Sequence, residues 1–535
     1  MKKLKSLLIL PILLTMSCNS CNQNTSNETF ERVEIDDNYE NYYQIFVYSF
    51  ADSNNDGIGD LNGVKAKIPY LYSLGYTGIW LTPIFSSSSY HKYDTTNYFS
   101  IDKDFGTSDD LTSLVEECHK YNMKILLDGV FNHSGTSCEY FTKALLAHRK
   151  YLAGETLTEE EEQYQDLYVF VDNEKDKLSG RKYSKAGANP FYYECNFSTD
   201  MPEFNFDNEL TYTIIKQVID YYMENYHIDG FRLDAVIYYY LNDTKKNVEV
   251  LNRIADMIHA HNGYVVCEAW VASQTLHEYY TSKIDSYFYF PGAGASGSIN
   301  TSLGFLGAYK ENYLNGLLDA IDMAGSNIPA IFLDNHDMPR VSRGGSKITT
   351  KFLLGLRDMA TGSTFNYYGD ELGMSSANKP LNTDYEDSCY RTHYYWDDST
   401  HEYECNNPQY SSEQTNYFGD SKSQLEDENS ILNYEKNALM LRNAFKSIPR
   451  GKISVEESDK TINADIDNTL LLAFNKTYED ENLKLVFNFS STNTYEYSLG
   501  DYKLTYTLLA DTTIKAEVKN NQLSLPPYSI AVLQK

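Results

Sequence analysis

Four short stretches gather residues that can move protons or attack carbon: Asp128-Gly-Val-Phe-Asn132-His133, Gly230-Phe-Arg232-Leu-Asp234-Ala, Val265-Val-Cys-Glu268-Ala-Trp and Phe332-Leu-Asp-Asn335-His336-Asp337. Two of their carboxyl groups invite opposite protonation states. Arg232 stands two residues before Asp234, so in a strand both side chains point the same way. A nearby cation favours the ionised carboxylate. Glu268 closes a strongly apolar run and lies close to Trp270; apolar surroundings favour the protonated form. An ionised carboxylate opposite a carboxylic acid suits glycoside cleavage. One group protonates the leaving oxygen, and the other attacks or activates water as an oxocarbenium-like centre develops. On this reading Asp234 is the nucleophile and Glu268 the general acid/base.

Such groups need a frame. From Tyr42 to about Met374, short β-like runs alternate with amphipathic helices. Candidate strands are Gln44–Phe50, Thr77–Pro83, Lys124–Phe131, Gly230–Ala235, Tyr264–Ala269, Ser286–Phe290, Ala330–Leu333 and Ser363–Tyr368. Between them, Leu111, Leu114, Val115 and Cys118 recur at helical spacing after a Ser108 cap with acids at 109 and 110. Ile214 to Tyr222 and Val250 to Ile258 carry the same pattern. Eight alternations predict an α/β fold, a (β/α)8 TIM barrel, with the four motifs at strand C-termini, where barrels place their chemistry. Residues 134–200 are too long for a loop and read as an inserted subdomain after the third strand. The catalytic barrel is therefore placed at 39–450. From about Gly451, short alternating strands (Leu470–Phe474, Lys484–Phe489, Tyr502–Leu509, Ser524–Leu533) predict a C-terminal antiparallel β-sandwich over 451–535.

The chain has 535 residues and a net charge of −30, which disfavours nucleic acid as a partner because phosphates need a basic surface. With 42% hydrophobic residues it can bury a sizeable core. Its 48 tyrosines offer flat apolar faces with polar tips, which suit sugar rings. Residues 1–17 read as a signal peptide: Lys2, Lys3 and Lys5 precede an apolar stretch, Leu7–Leu14, too short to span a bilayer. Thr15-Met16-Ser17-Cys18 resembles a bacterial lipobox, which makes Cys18 a lipid anchor and the only membrane contact. Export is expected either way, to the cell surface if Cys18 is lipidated and to the medium if not. Residues 18–38 suit a flexible linker. Export permits disulfides, and Cys138–Cys195 and Cys389–Cys405 are candidate pairs.

The four motifs, in this order and at these strand ends, resemble the α-amylase family, glycoside hydrolase family 13. Gly75-Tyr-Thr-Gly-Ile-Trp-Leu-Thr-Pro83, Met201-Pro-Glu-Phe-Asn205 and the run from Tyr93-Asp94 to Phe105-Gly106-Thr107 agree with it. The resemblance covers residues 40–535, the sandwich less specifically. It implies the same roles for Asp234 and Glu268, with Asp337 as a third carboxylate that binds sugar hydroxyls. It further implies sugar contacts from His133 and His336, stacking from Tyr93, and Asp128 as the organiser of Arg232. The family mechanism is a double displacement that retains the anomeric configuration. The implied substrate is an α-glucan and the implied activity is hydrolysis of internal α-1,4 bonds of starch or maltodextrin, by a monomer. Neopullulanase-like, α-1,6-cleaving and glucan-transferring specificities are alternatives. A non-catalytic glucan-binding surface protein would require loss of Asp234, Glu268 or Asp337, and all three are present.

Calcium is the expected ion. Asp52, Asn54, Asp56, Ile58 (through its carbonyl) and Asp60 occupy odd positions of a loop with Gly57 at its sixth place, following the first nine positions of an EF-hand loop. The bidentate Glu of position 12 is missing. Family members with this loop bind Ca²⁺ there. Asn132 and Glu203 match two ligands of a second family calcium site. Two departures bear on specificity. Ile237 and Tyr238 stand where many family members carry Lys and His. Tyr90 stands where exo-acting members carry the Asp that holds a terminal sugar, which favours cleavage within a chain. Tyr192, Tyr193, Tyr238, Tyr239 and Tyr240 are further candidates to line a glucan groove.

Overall fold

The structure, a computed structural model, describes residues 30–304, 310–342, 345–381, 383, 385–464 and 469–535. The leader, Cys18 and most of the linker lie outside these residues.

Eight strands close a barrel: β1 Asn41–Ile45, β2 Gly78–Leu81, β3 Lys124–Gly129, β4 Gly230–Leu233, β5 Tyr264–Cys267, β6 Ser286–Phe288, β7 Ile328–Phe332 and β8 Ser363–Tyr367. Each pairs in parallel with its sequence neighbour, and β1 pairs with β8 to complete the ring. The eight outer helices are α1 Leu61–Leu74, α2 Ser108–Lys120, α3 Glu209–Asn225, α4 Thr244–His259, α5 Ser273–Tyr279, α6 Lys310–Ala324, α7 Lys347–Asp358 and α8 Ile431–Ala444. Each expected strand forms, and several are shorter than the apolar run. The stretch after Ile45, for instance, turns into a single 3-10 turn at Val47–Ser49.

Period-two alternation sorts the strand residues. Tyr42, Trp80, Leu126, Val266, Phe288, Phe332 and Phe365 pack inside the barrel. Their neighbours Tyr43, Ile79, Leu127, Val265, Tyr287 and Ile331 pack outward against the helices. Phe231 and Leu233 point outward, so Arg232 points in. Tyr43 and Ile45 do the same for Gln44, and Leu127 does so for Asp128. In register, Arg232 lies beside Asp128 on β3 and Val266 on β5. The polar residues of the motifs are thus raised in one layer on an aromatic-filled floor.

Helix α2 starts one residue earlier than expected. Thr107, not Ser108, is its N-cap, in a reciprocal capping box with Asp110. The segment after β3 holds helices Glu139–Leu152 and Glu159–Tyr164 and a small sheet of strands 170–171, 183–185 and 192–194. It returns to the barrel through bridges His133–Glu203 and Tyr168–Phe204.

The C-terminal region forms two antiparallel sheets, of five and three strands. The run Ser524–Leu533 is two strands, Gln522–Leu525 and Ser529–Gln534, one in each sheet. Pro526-Pro527 lacks the N–H groups a continuous ladder requires. Leu471, Ala473 and Val486 fill the space between the sheets, whereas Leu472, Phe474 and Phe487 face the barrel. Phe487 meets Tyr313 of α6, and Phe489 meets Phe352 of α7.

Neither expected disulfide forms. Cys118, Cys138, Cys195, Cys267, Cys389 and Cys405 are all free and buried. Cys138 opens a helix while Cys195 follows the small sheet. The Cys389 thiol donates to the Glu386 carbonyl within its own turn. No described helix is long and apolar enough to cross a membrane.

Candidate active site

The barrel's C-terminal end carries a cavity of about 900 Å³. Asp234, Glu268, Asp337, His133, His336 and Tyr93 all line it. Asp128 and Arg232 lie just beneath, fully buried.

Arg232 is the centre of the layer. Its Nη1 donates to Asp128 Oδ1 and to Asp234 Oδ1, each at 2.7 Å, and its Nη2 to Glu268 Oε2 at 2.7 Å. Its guanidinium lies 5.0 Å over the ring of Trp80. The arginine therefore binds Glu268 as well as Asp234. The Tyr93 hydroxyl donates to Asp128 Oδ2 at 3.0 Å and lies 2.7 Å from His336 Nε2. The Gln44 amide donates to His336 Nδ1 at 2.7 Å, which leaves the proton on Nε2 to reach Tyr93 and Asp337. Burial pushes His336 down to about 3, so the ring is a neutral donor. Burial likewise lowers His133, whose Nε2 is buried with no protein partner at the cavity wall.

The carboxyl groups differ. Burial pushes Glu268 up to about 8; Arg232 opposes this, and the negative charges of Asp234 and Asp337 reinforce it. Glu268 Oε2 also accepts the Ala235 N–H at 3.1 Å. Ala235 adopts a left-handed conformation, φ 50°, sparsely populated for a residue with a Cβ. That turn aims its amide at Glu268 while its neighbour Asp234 faces Arg232. Burial disfavours the ion at Asp337, but His336 and Arg391, with the field of Arg232, outweigh it and hold the carboxyl below the usual range. The site can thus hold a proton on Glu268 while Asp337 stays ionised, an asymmetry of the kind that acid-assisted displacement requires; burial also lifts Asp128, below the cavity, to about 7.

Several contributors were not singled out from the sequence. Arg391 donates to Asp337 Oδ1 at 2.7 Å, to the His336 carbonyl at 2.9 Å and to the Tyr90 hydroxyl at 3.1 Å. It sits in the long irregular segment after β8, where no periodicity marks it. Phe197, from the inserted segment, is 40% exposed and packs 4.6 Å from Tyr238 and 5.3 Å from His133. Gln44 was legible as a polar residue at an inward strand position. Of the five groove tyrosines, Tyr238 alone lines the cavity. Tyr193 and Tyr239 are buried in packing, and Tyr192 covers Lys177.

In the Asp52–Asp60 loop, Asp52 accepts from the amides of Asn54, Asn55 and Gly57, Asn54 from Asp56, and Asp56 from Ile58. Asp60 accepts from Ser53 and caps α1 through Gly63. Gly57 takes φ 91°, and a Cβ there would strike Asn406. The donors are all oxygens, the chemistry a hard cation prefers. Around the second expected site, Asn132 Oδ1 is buried without a partner. Glu203, however, accepts from Asn196, and Glu194 is gripped by both oxygens from Arg181. Among the described residues, three convergent acidic or imidazole groups occur once, at Asp220, Glu224 and His261; Lys216 already pairs with Asp220.

A closed parallel barrel carrying an acid, a carboxylate and a third acidic group at its C-terminal end defines a barrel glycoside hydrolase. Comparison with known proteins agrees. The pattern for "Alpha amylase, catalytic domain" matches residues 44–451. The chain is 31% identical over 519 residues to "Alpha-amylase 3" of Dictyoglomus thermophilum, covering 93% of each. It is 30% identical over 354 residues to "4-alpha-glucanotransferase" of Thermotoga neapolitana, covering 64% of this chain and 74% of that one. Among solved structures, "Eubacterium rectale Amy13B" superposes with a TM-score of 0.85 at 32% identity, covering 95% of this chain and 97% of that one. The chain belongs to the α-amylase family, glycoside hydrolase family 13.

Proposed function

We propose that this chain is a retaining, endo-acting α-amylase that hydrolyses internal α-1,4 bonds of starch or maltodextrin. The observation that carries the reading is the cavity itself. Aromatic surface lies on both sides of the carboxyl groups: Trp270, Tyr238 and Phe197 beside Glu268, and Tyr90 and Tyr385 beside Asp337 and Arg391. Tyr90, bonded to Arg391, stands where a terminal-sugar clamp would need an acid.

In the proposed reaction Asp234 Oδ attacks the anomeric carbon as that carbon's bond to the leaving oxygen breaks. Glu268 gives its proton to that oxygen. Water then attacks the glycosyl ester, returning a proton to Glu268 and freeing Asp234. Asp337, held by Arg391 and His336, binds ring hydroxyls, and Tyr93 stacks on the ring. Asp52, Asn54, Asp56, the Ile58 carbonyl and Asp60 would hold Ca²⁺, which supplies cross-linking charge to the loop. Export with a lipid at Cys18, and action as a monomer, complete the proposal.

The test is product analysis on amylose, pullulan and an α-1,6 oligosaccharide, wild type beside Glu268→Gln. Falling amylose viscosity with short maltooligosaccharides, abolished in the variant, is the expected result. Longer chains built from short ones would move the enzyme to glucan transfer, a reading that the aromatic aglycone side and the glucanotransferase relative support. Equal activity in both proteins would remove Glu268 from the acid role.

A further inference from the structure

We propose that Tyr385 and Tyr410 form a distal sugar-binding platform on the glycone arm of the cleft, and that it sets the chain length the enzyme prefers. The proposal rests on the α-glucan reading above. Glu268 protonates the leaving oxygen, so the departing part of the substrate lies on its side, with Trp270. The retained part runs the other way, past Asp337. There the structure builds a continuous wall outward. Arg391 joins Asp337 to Tyr90; the Tyr90 ring lies 5.8 Å from that of Tyr385. The Tyr385 ring in turn stacks on Tyr410, with centroids 5.3 Å apart and planes at 14°.

Tyr90 and Tyr385 line the cavity; Tyr410 lies beyond its lining and is 52% exposed. The Tyr385 backbone N–H donates to Thr383 Oγ1, and among the described residues neither the Tyr385 nor the Tyr410 hydroxyl is bonded. An aromatic face with a free polar tip is suited to the C–H face and hydroxyls of a glucosyl unit. The backbone supplies a second observation. Tyr410 adopts φ 70°, an outlier for a bulky residue that persists only where surroundings impose it. Here they do. Asn406 N–H donates to the Gly57 carbonyl, and Asn407 Oδ1 accepts the His393 N–H. The Ser411 N–H closes a turn on Pro408. The strain holds a half-exposed ring that fills no core against Tyr385, which lines the cleft.

The experiment compares wild type, Tyr410→Ala and Tyr410→Phe. The readout is the ratio of kcat/KM on maltoheptaose to that on maltotriose. In parallel, calorimetry measures maltoheptaose binding in the Glu268→Gln background, which registers the platform without turnover. A stacked ring is worth roughly two- to tenfold. Tyr410→Ala should lower the ratio and the binding by that factor, and Tyr410→Phe, which keeps the ring face and loses only the hydroxyl, should lower both by less. An unchanged ratio and unchanged binding in Tyr410→Ala would overturn the platform. A rise on long chains would overturn it too, because the pair would then be a barrier. A wild-type chain that cleaves and binds neither sugar would sink the α-glucan reading itself.

Discussion

Arg232 donates to Asp128, Asp234 and Glu268 from a fully buried guanidinium, yet the acceptors are not equivalent. The arginine's charge opposes burial at both Asp128 and Glu268, and burial wins at each, lifting Asp128 to about 7 and Glu268, the one of the two that lines the cavity, to about 8. The sign follows directly. The proposed acid works only while protonated, so kcat/KM should hold through neutral pH and fall as pH rises through about 8. A pH–rate profile on maltooligosaccharides checks this. An alkaline limb near the ordinary glutamate range of about 4 would mean that Arg232 wins over burial. That Asp234 and Glu268 share the cavity was legible because each sits at the end of an apolar strand, where alternation fixes its direction. Arg391 was not legible: its partner Asp337 is distant in sequence, and only the fold brings them together.

Among elements, strands and strand ends were the readable part, since a barrel strand buried on both faces announces itself as an apolar run. Helix starts were less so. At α2 the chain offered Thr107 and Ser108 side by side, and the reciprocal bond with Asp110 decided between them. The Asp52–Asp60 loop was readable from the spacing of its oxygens, but its partner was not: Asp52 N–H donates to the Tyr403 carbonyl across the long segment after β8. If the loop holds Ca²⁺, chelation should lower the wild-type melting temperature by a few degrees, in line with about 2.7 kcal/mol for an ion at a hundred times its dissociation constant. Asp56→Ala should melt lower in calcium and respond less to chelator. Scanning calorimetry with and without chelator decides; equal melting temperatures throughout would rule the ion out.

At the scale of the molecule, the sandwich was visible as a change of texture, but its seam with the barrel was not. Lys476 is fully buried there, and its Nζ donates to the carbonyls of Met359 (2.9 Å) and Ile448. Burial drives its pKa far down, so this donor is held at a cost that hydrogen bonding must offset. Lys476→Met should strand both carbonyls and destabilise the chain by about 1–3 kcal/mol per unsatisfied group. A matched denaturant midpoint for the two proteins would show that the seam does not depend on it.

The buried thiols turn the molecule into its own opening gauge. Burial raises the pKa of every described cysteine, so none should alkylate while its surroundings stay closed. Cys118 sits in α2, Cys267 on β5, Cys138 and Cys195 in the inserted segment, and Cys389 and Cys405 in the segment after β8. The order in which a maleimide marks them under mild denaturant would read out which part of the chain lets go first, without any engineered label.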